Sequence, residues 1–101
     1  MQEPKKIYGM ISLSNKARKL VSGQFSVEKL VRSNHAKIVI AAQDSSAASI
    51  KGYTDMCEFY HVPFYTFGTK EALGKSIGKE FRGVVAISDE NFAAAIMKLM
   101  N

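Results

Sequence analysis

The sequence predicts an α/β fold: a three-layer α/β/α sandwich around a small mixed sheet of roughly four strands. Three observations lead there. KIVIAA at 37–42 is a continuous apolar run that suits a strand covered on both faces, VPFYTF at 62–67 is rich in β-formers, and GVVAI at 83–87 reads as another strand. Stretches with apolar residues at helical spacing separate them. Connections are short, with no repeat and no linker, so residues 1–101 are expected to form a single domain.

The first helix is expected from about Ile7 to Val21, with Met10, Leu13, Ala17 and Leu20 inward and Asn15, Lys16 and Lys19 outward. A brief strand around Leu20–Ser22 is the alternative for its end, and would supply the fourth strand. Gly23 stops or turns the chain. Ser26 suits the N-cap of a second helix, with Val27, Leu30 and Val31 as its buried stripe. After the strand at 37–42, Asp44 to Ser46 read as turn and capping residues. A third helix then turns Ile50, Tyr53, Cys57 and Tyr60 inward. Pro63 belongs at the beginning of the next strand, where its missing N–H costs least. Thr69 caps a short helix with Leu73 and Ile77 inward and Gly78 as its stop. Ser88 or Asp89 caps the last helix, which buries Phe92, Ile96 and Leu99.

Composition bounds the function. An apolar share of 47% excludes a disordered polar tail, and 23% charged residues with only 2 Pro exclude low-complexity classes. A single cysteine cannot close an intrachain disulfide and fits a reducing, cytoplasmic setting. No run approaches the ~18 apolar residues of a membrane span. The opening MQEPKKIYGM lacks the apolar core of a secretory signal. One Cys and two distant His leave few soft metal ligands, and no cofactor is expected.

The net charge is +5, and it is unevenly placed. Residues 1–37 hold eight basic side chains against two acids, and residues 38–101 hold six against seven. Such a bias suits phosphate-rich partners, or simply a solvated surface.

Enzyme signatures fail on spacing. Gly68 to Ser76, GTKEALGKS, puts five residues between the first Gly and the Gly-Lys pair, where a phosphate-binding loop has four. Its Gly-Lys-Ser falls inside a predicted helix, so Gly74 is better read as close packing. No Gly-x-Ser-x-Gly elbow exists. Cys57 reads as a small buried hydrophobe. His35 in a turn and His61 at a helix end have no carboxylate at a telling spacing.

The start of the second helix is more informative. Gly23, Gln24, Phe25 and Ser26 would cluster backbone N–H groups that accept anionic oxygens. Lys29 near the first turn is disfavoured by the helix dipole unless a phosphate sits there. The plainer reading leaves Lys29 solvated and pairs Glu28 with Arg32 at i,i+4. Phe25 is either a hydrophobic staple or an exposed stacking surface for a base.

Four segments occur in order: RKLVSG, AKIVIAAQDSS, CEFYHVPFYTFGTKEALGKSIGK and VVAISDENFA. Together they resemble the bacterial YlxQ-type members of the kink-turn RNA-binding ribosomal-protein family. That family includes archaeal and eukaryotic large-subunit proteins and snoRNP proteins. The resemblance runs from about Leu13 to Ala94, and the Val-Pro strand followed by a Leu-Gly-Lys helix is its most specific element.

The resemblance implies the same α/β/α sandwich and a non-enzymatic, ribosome- or rRNA-associated function with structured RNA as partner. The family's RNA-reading run is Gly-x-Asn-Glu-x-x-Lys. Gly23 and Lys29 match its ends, whereas Phe25 and Ser26 replace the Asn and Glu that hydrogen-bond sheared G·A pairs. Positioning of phosphates is therefore the expected survivor, with Arg32 and Lys70 assisting. Asp44 to Ser46 and Ile50 resemble the pocket for a flipped-out nucleotide. The loop from Lys79 to Val84 matches the family's variable RNA-contacting loop, with Arg82 as its cation and Val84 as its apolar contact. Shape should count for more than base edges. The competing expectation is a protein-interaction module that keeps the fold but has lost kink-turn reading. No DNA-specific or membrane signal is present.

Overall fold

A computed structural model describes residues 4–101. Glu3, one of the two acids counted in the basic third, lies outside them. The chain runs α1 (Pro4–Lys16), β1 (Leu20–Ser22), α2 (Gln24–Arg32), β2 (Ile38–Ala41), α3 (Ala47–Tyr60), β3 (Phe64–Thr66), α4 (Lys70–Ser76), β4 (Val84–Ile87) and α5 (Glu90–Met100). The strands form one mixed sheet in the order β1-β4-β2-β3. β4 runs antiparallel to both β1 and β2, and β3 is parallel to β2.

β2 and β4 are central and wholly buried, which is why both are unbroken apolar runs. The pleat divides their side chains between two cores. Ile38, Ile40, Val85 and Ile87 pack with Ile7 and Ile11 of α1, Leu73 of α4 and Ile96 of α5. Val39, Ala41, Val84 and Ala86 pack with Val27 and Val31 of α2 and Tyr53 and Cys57 of α3. Helices thus cover both faces, α1, α4 and α5 on one and α2 and α3 on the other.

Several expectations are corrected. α1 ends at Lys16, and Leu20 belongs to β1. Its buried stripe is Ile7, Ile11 and Ser14, while Leu13 is 51% exposed. The expected phase was set by Leu13 and Leu20 as though one helix carried both. Burying Ser14 costs little because its hydroxyl donates to the Met10 carbonyl across 2.7 Å. Ser26 does not cap α2; Gly23 does, and Ser26 lies within the first turn. Ser46, Thr69 and Asp89 do cap α3, α4 and α5, accepting from the N–H groups of Ser49, Ala72 and Phe92. In α5 the fully inward residues are Ala93, Ile96 and Met100, with Phe92 and Leu99 half-buried.

Candidate nucleic-acid interface

The strand directions bring the C-terminal ends of β1, β2 and β3 to one end of the sheet, together with the start of β4. Four connections emerge there: the one into α2, the one into α3, the one into α4 and the 77–83 loop. Backbone bonds lace them together. Gly23 N–H donates to the Val84 carbonyl across 2.9 Å, and Ala42 N–H to the Gly83 carbonyl across 2.8 Å. Arg82 N–H reaches the Lys70 carbonyl across 3.0 Å. Asp44 accepts from the Lys70 N–H at 2.9 Å, placing a carboxylate at the start of α4, where the helix dipole favours it.

Gly23 has φ 91 and ψ 153, a left-sided conformation that glycine adopts cheaply. It turns the chain sharply from β1 into α2 but offers no side-chain cap. The first turn of α2 carries no acid either. The positive end of this helix is therefore electrostatically open. Phe25 projects from it 81% exposed, which settles the choice against a hydrophobic staple.

Arg32 is already engaged. Its guanidinium lies 3.6 Å from the Glu28 carboxylate, which also accepts from the Gln24 amide at 2.9 Å. Phe25, Glu28, Lys29, Arg32 and Ser33 line a shallow groove of about 410 Å³ along α2. Arg82 is also tied inward: its Nε donates to Ser22 Oγ and its Nη1 to the Phe81 carbonyl, both at 3.0 Å. It clamps the loop to β1.

A second groove, of about 290 Å³, opens where the four connections meet. Gln24, Ser45, Ser46 and Ser49 form one wall, and Lys70, Phe81, Gly83 and Val84 another, over the Tyr53 ring. Burial, and then the nearby Glu28 charge, push the Tyr53 phenol pKa up. Ser46 is engaged locally, accepting from the Ser49 N–H and donating to Ser49 Oγ at 2.9 Å.

The expected residues Gly23, Gln24, Asp44, Ser46, Lys70, Arg82 and Val84 thus gather at one end of the sheet, and Phe25, Lys29 and Arg32 continue along α2. Four do not take their expected places. Lys29 lies in the last turn of α2, where the dipole favours a cation, rather than near its first. Asp44 lies outside the groove lining. Val84 is 1% exposed inside β4, so its side chain belongs to the core and only the edge of the groove. Ile50 lies outside the groove lining and packs, half-buried, on the α2/α3 core. Phe81 was missed, at 59% exposed in the loop. Its signal was legible: an aromatic between Glu80 and Arg82 that belongs to no apolar stripe.

The basic third does not form one patch. Lys5, Lys6 and Lys16 lie on α1, in the layer opposite Lys29 and Arg32 of α2. Arg18, Lys19 and Lys37 flank the other ends of β1 and β2.

Gly74 is buried in α4, and a Cβ there would come within 2.6 Å of the Glu80 carbonyl, so it is a packing glycine. Cys57 is 1% exposed and burial pushes its thiol up to about 11, opposite to an activated nucleophile. Among the described residues no group of three or more His, Cys, Asp or Glu could hold a metal ion. No helix there is long and apolar enough to cross a membrane.

Comparison with known proteins fits this arrangement. Residues 5–97 match the model of the ribosomal protein L7Ae/L30e/S12e/Gadd45 family. The chain is 40% identical over 94 residues to the RNA-binding protein YlxQ of Bacillus subtilis, covering 93% of this chain and 94% of that one. It is 32% identical over 95 residues to the RNA-binding protein YlxQ of Enterococcus faecium, covering 94% and 91%. A solved structure of a protein of unknown function from Bacillus halodurans C superposes with a TM-score of 0.90 at 30% identity, over 97% of this chain and 98% of that one. The Giardia lamblia 15.5kD RNA binding protein shares the fold, with a TM-score of 0.80 at 22% identity over 93% and 83%.

Proposed function

The chain belongs to the ribosomal protein L7Ae/L30e/S12e/Gadd45 family, and from that premise we propose that it is a non-enzymatic RNA-binding protein. It docks a bent, kink-turn-like RNA on the end of the sheet where Gly23, Asp44, Lys70 and the 77–83 loop converge. We place it in the cytoplasm, associated with the ribosome or its rRNA.

One observation carries this reading. The uncapped start of α2, with Phe25 81% exposed upon it, opens beside a groove whose rim holds Lys70 and the exposed Phe81. Open helix amides and Lys29 suit phosphates, and flat exposed rings suit unstacked bases. Ser26 lacks the reach of a carboxylate and Phe25 has no hydrogen-bonding group, so neither reads a G·A pair by its edge. Phosphate positioning and stacking supply the affinity, and RNA shape supplies the selectivity.

The second reading, a protein-interaction module, is favoured by Phe59, which is 75% exposed and stacks edge-on with Tyr60 at the far end of α3.

The test is a fluorescence titration with a standard kink-turn RNA and with the same helix lacking the bend, at two salt concentrations. Preference for the bent RNA, retained at higher salt, is expected. Equal and salt-sensitive binding to both RNAs would reduce the function to phosphate attraction. No binding to either would put the protein-interaction reading first.

A further inference from the structure

Four helices of this chain end in the same turn. In each, one residue takes a left-handed backbone, its N–H bonds the carbonyl three residues back, and the next N–H bonds the carbonyl five back. The turn residues are Arg18, Asn34, His61 and Gly78, with φ 61, 63, 59 and 74. At Arg18 the two bonds measure 3.0 Å to Asn15 and 2.9 Å from Lys19 to Ser14.

Glycine is the common occupant of this position, and Asn and His tolerate it. Arginine has no such excuse. Arg18 is exposed, and its side chain makes no hydrogen bond or ion pair among the described residues. Neither packing nor pairing offsets its backbone strain. An outlier kept without a structural return points to a use for the side chain.

Its surroundings suggest the use. Arg18 lies at the end of the sheet opposite the groove. Lys19 accepts from the Ser88 N–H at 2.9 Å, and Lys37 N–H donates to the Ile87 carbonyl at 2.7 Å. Two exposed lysines thus bracket the end of β4, with Arg18 just beyond β1. None of the three has an ion-pair partner among the described residues. Lys16, in the last turn of α1, is accounted for by the helix dipole. Arg18, in the turn that closes α1, still feels that dipole, whereas Lys19 and Lys37 lie farther past their helix ends, where it fades. The acids that follow the end of β4 are Asp89, whose carboxylate accepts from the Phe92 N–H at 2.9 Å, and Glu90 in the first turn of α5.

We propose that Arg18, Lys19 and Lys37 form a second nucleic-acid contact, gripping the phosphate backbone of a duplex RNA arm without reading its bases. The choice of RNA as the polyanion rests on the function proposed above; the geometry does not. The molecule is 30 × 27 × 26 Å, so a duplex arm leaving the groove can run along the protein's flank to this end. The bent RNA is then held at both ends of the sheet.

The experiment crosses two probes with two variants. One probe is a short bulged RNA that fills only the groove, and the other is a straight RNA duplex. The variants are Arg18→Gly and the double substitution Lys19→Ala/Lys37→Ala. On the straight duplex, Arg18→Gly is expected to bind several-fold more weakly, with a salt slope lower by about one, and the double variant by about two. Arg18→Gly should melt no lower than the parent, because glycine relieves the turn. Both variants should bind the short bulged RNA as the parent does.

Unchanged duplex affinity and slope would overturn the proposal. So would equal weakening on both probes, which marks a general field rather than a contact, and so would a parent that binds no duplex at low salt. A parent that ignores the bulged RNA, yet binds the duplex through these residues, would overturn the groove reading and leave this one standing.

Discussion

The Lys70 N–H donates to the Asp44 carboxylate across 2.9 Å, tying the turn after β2 to the first residue of α4. Asp44 therefore holds Lys70 in place. Asp44→Ala is expected to destabilise the protein by about 1 kcal/mol, a drop of several degrees in Tm. It should also weaken RNA binding through the displaced Lys70. Asp44→Asn, whose amide oxygen still accepts, should restore most of both. Thermal melts and a titration of the two variants check this; a binding gain with Asp44→Ala would show that the carboxylate only repels.

Phe25 separates binding from folding. Because its ring is 81% exposed, Phe25→Ala should change stability by less than about 0.5 kcal/mol. Loss of a stacked base costs about 1–3 kcal/mol, so RNA affinity should fall roughly tenfold or more. Chemical denaturation and titration on one preparation measure both. An unchanged affinity removes Phe25 from the interface.

Lys29, the proposed phosphate contact on α2, has no ion-pair partner among the described residues. Lys29→Ala should weaken binding to every sequence alike and lower the salt slope by about one. Arg32→Ala should do less, because Arg32 is already engaged with Glu28. Salt-dependent titrations of the two variants rank them, and a larger effect at Arg32 would reverse the assignment.

Gly74 supports the loop from beneath. A Cβ at this position would lie 2.6 Å from the Glu80 carbonyl and 2.9 Å from the Phe81 N, both backbone atoms. Gly74→Ala must push the loop outward, at a cost of about 1–3 kcal/mol. Phe81 and Arg82 move with it, so RNA affinity should fall along with Tm. A variant with parental Tm would show that the loop yields freely.

Cys57 gives a pH signature. Its thiol is pushed up to about 11 by burial, from an ordinary value of 9.0. The folded protein holds the neutral thiol, so this contribution is fully present below about 9 and is lost as pH rises towards 11. Alkylation at pH 8 should be slow in the native protein and fast in denaturant. Rapid native alkylation would mean that α3 opens readily.

The sheet was legible in the sequence because its two central strands are buried on both faces, and continuous apolar runs such as KIVIAA and GVVAI are the direct result. The caps Ser46, Thr69 and Asp89 were legible because each hydroxyl or carboxylate precedes its helix locally. The phase of α1 was not: Leu13 belongs to the exposed side, and the pattern was read through a helix end that lies at Lys16. The cap of α2 was misread because the helix starts at Gly23, whose backbone turns the chain but which has no side chain to accept from the first-turn N–H groups.

Distribution of charge needed three dimensions. Lys5, Lys6 and Lys16 are near Lys29 and Arg32 in sequence, yet the sheet stands between them. Val84 was read both in the strand GVVAI and at the end of the loop, and the register with Ala41 makes it the first residue of β4. Phe25 was undecided between a staple and a free ring, and the structure leaves it free. The engagement of Arg32 by Glu28, by contrast, was visible at i,i+4 spacing.

The most direct measurement is amide chemical-shift mapping of the isotope-labelled protein during titration with a kink-turn RNA. The expected perturbations are the amides of Gly23, Gln24, Phe25 and Ser26 at the start of α2, Lys70, and Phe81 to Gly83, with α5 unmoved. Saturable shifts confined to α5 or to the Phe59–Tyr60 end of α3, with the start of α2 silent, would contradict docking at this end of the sheet.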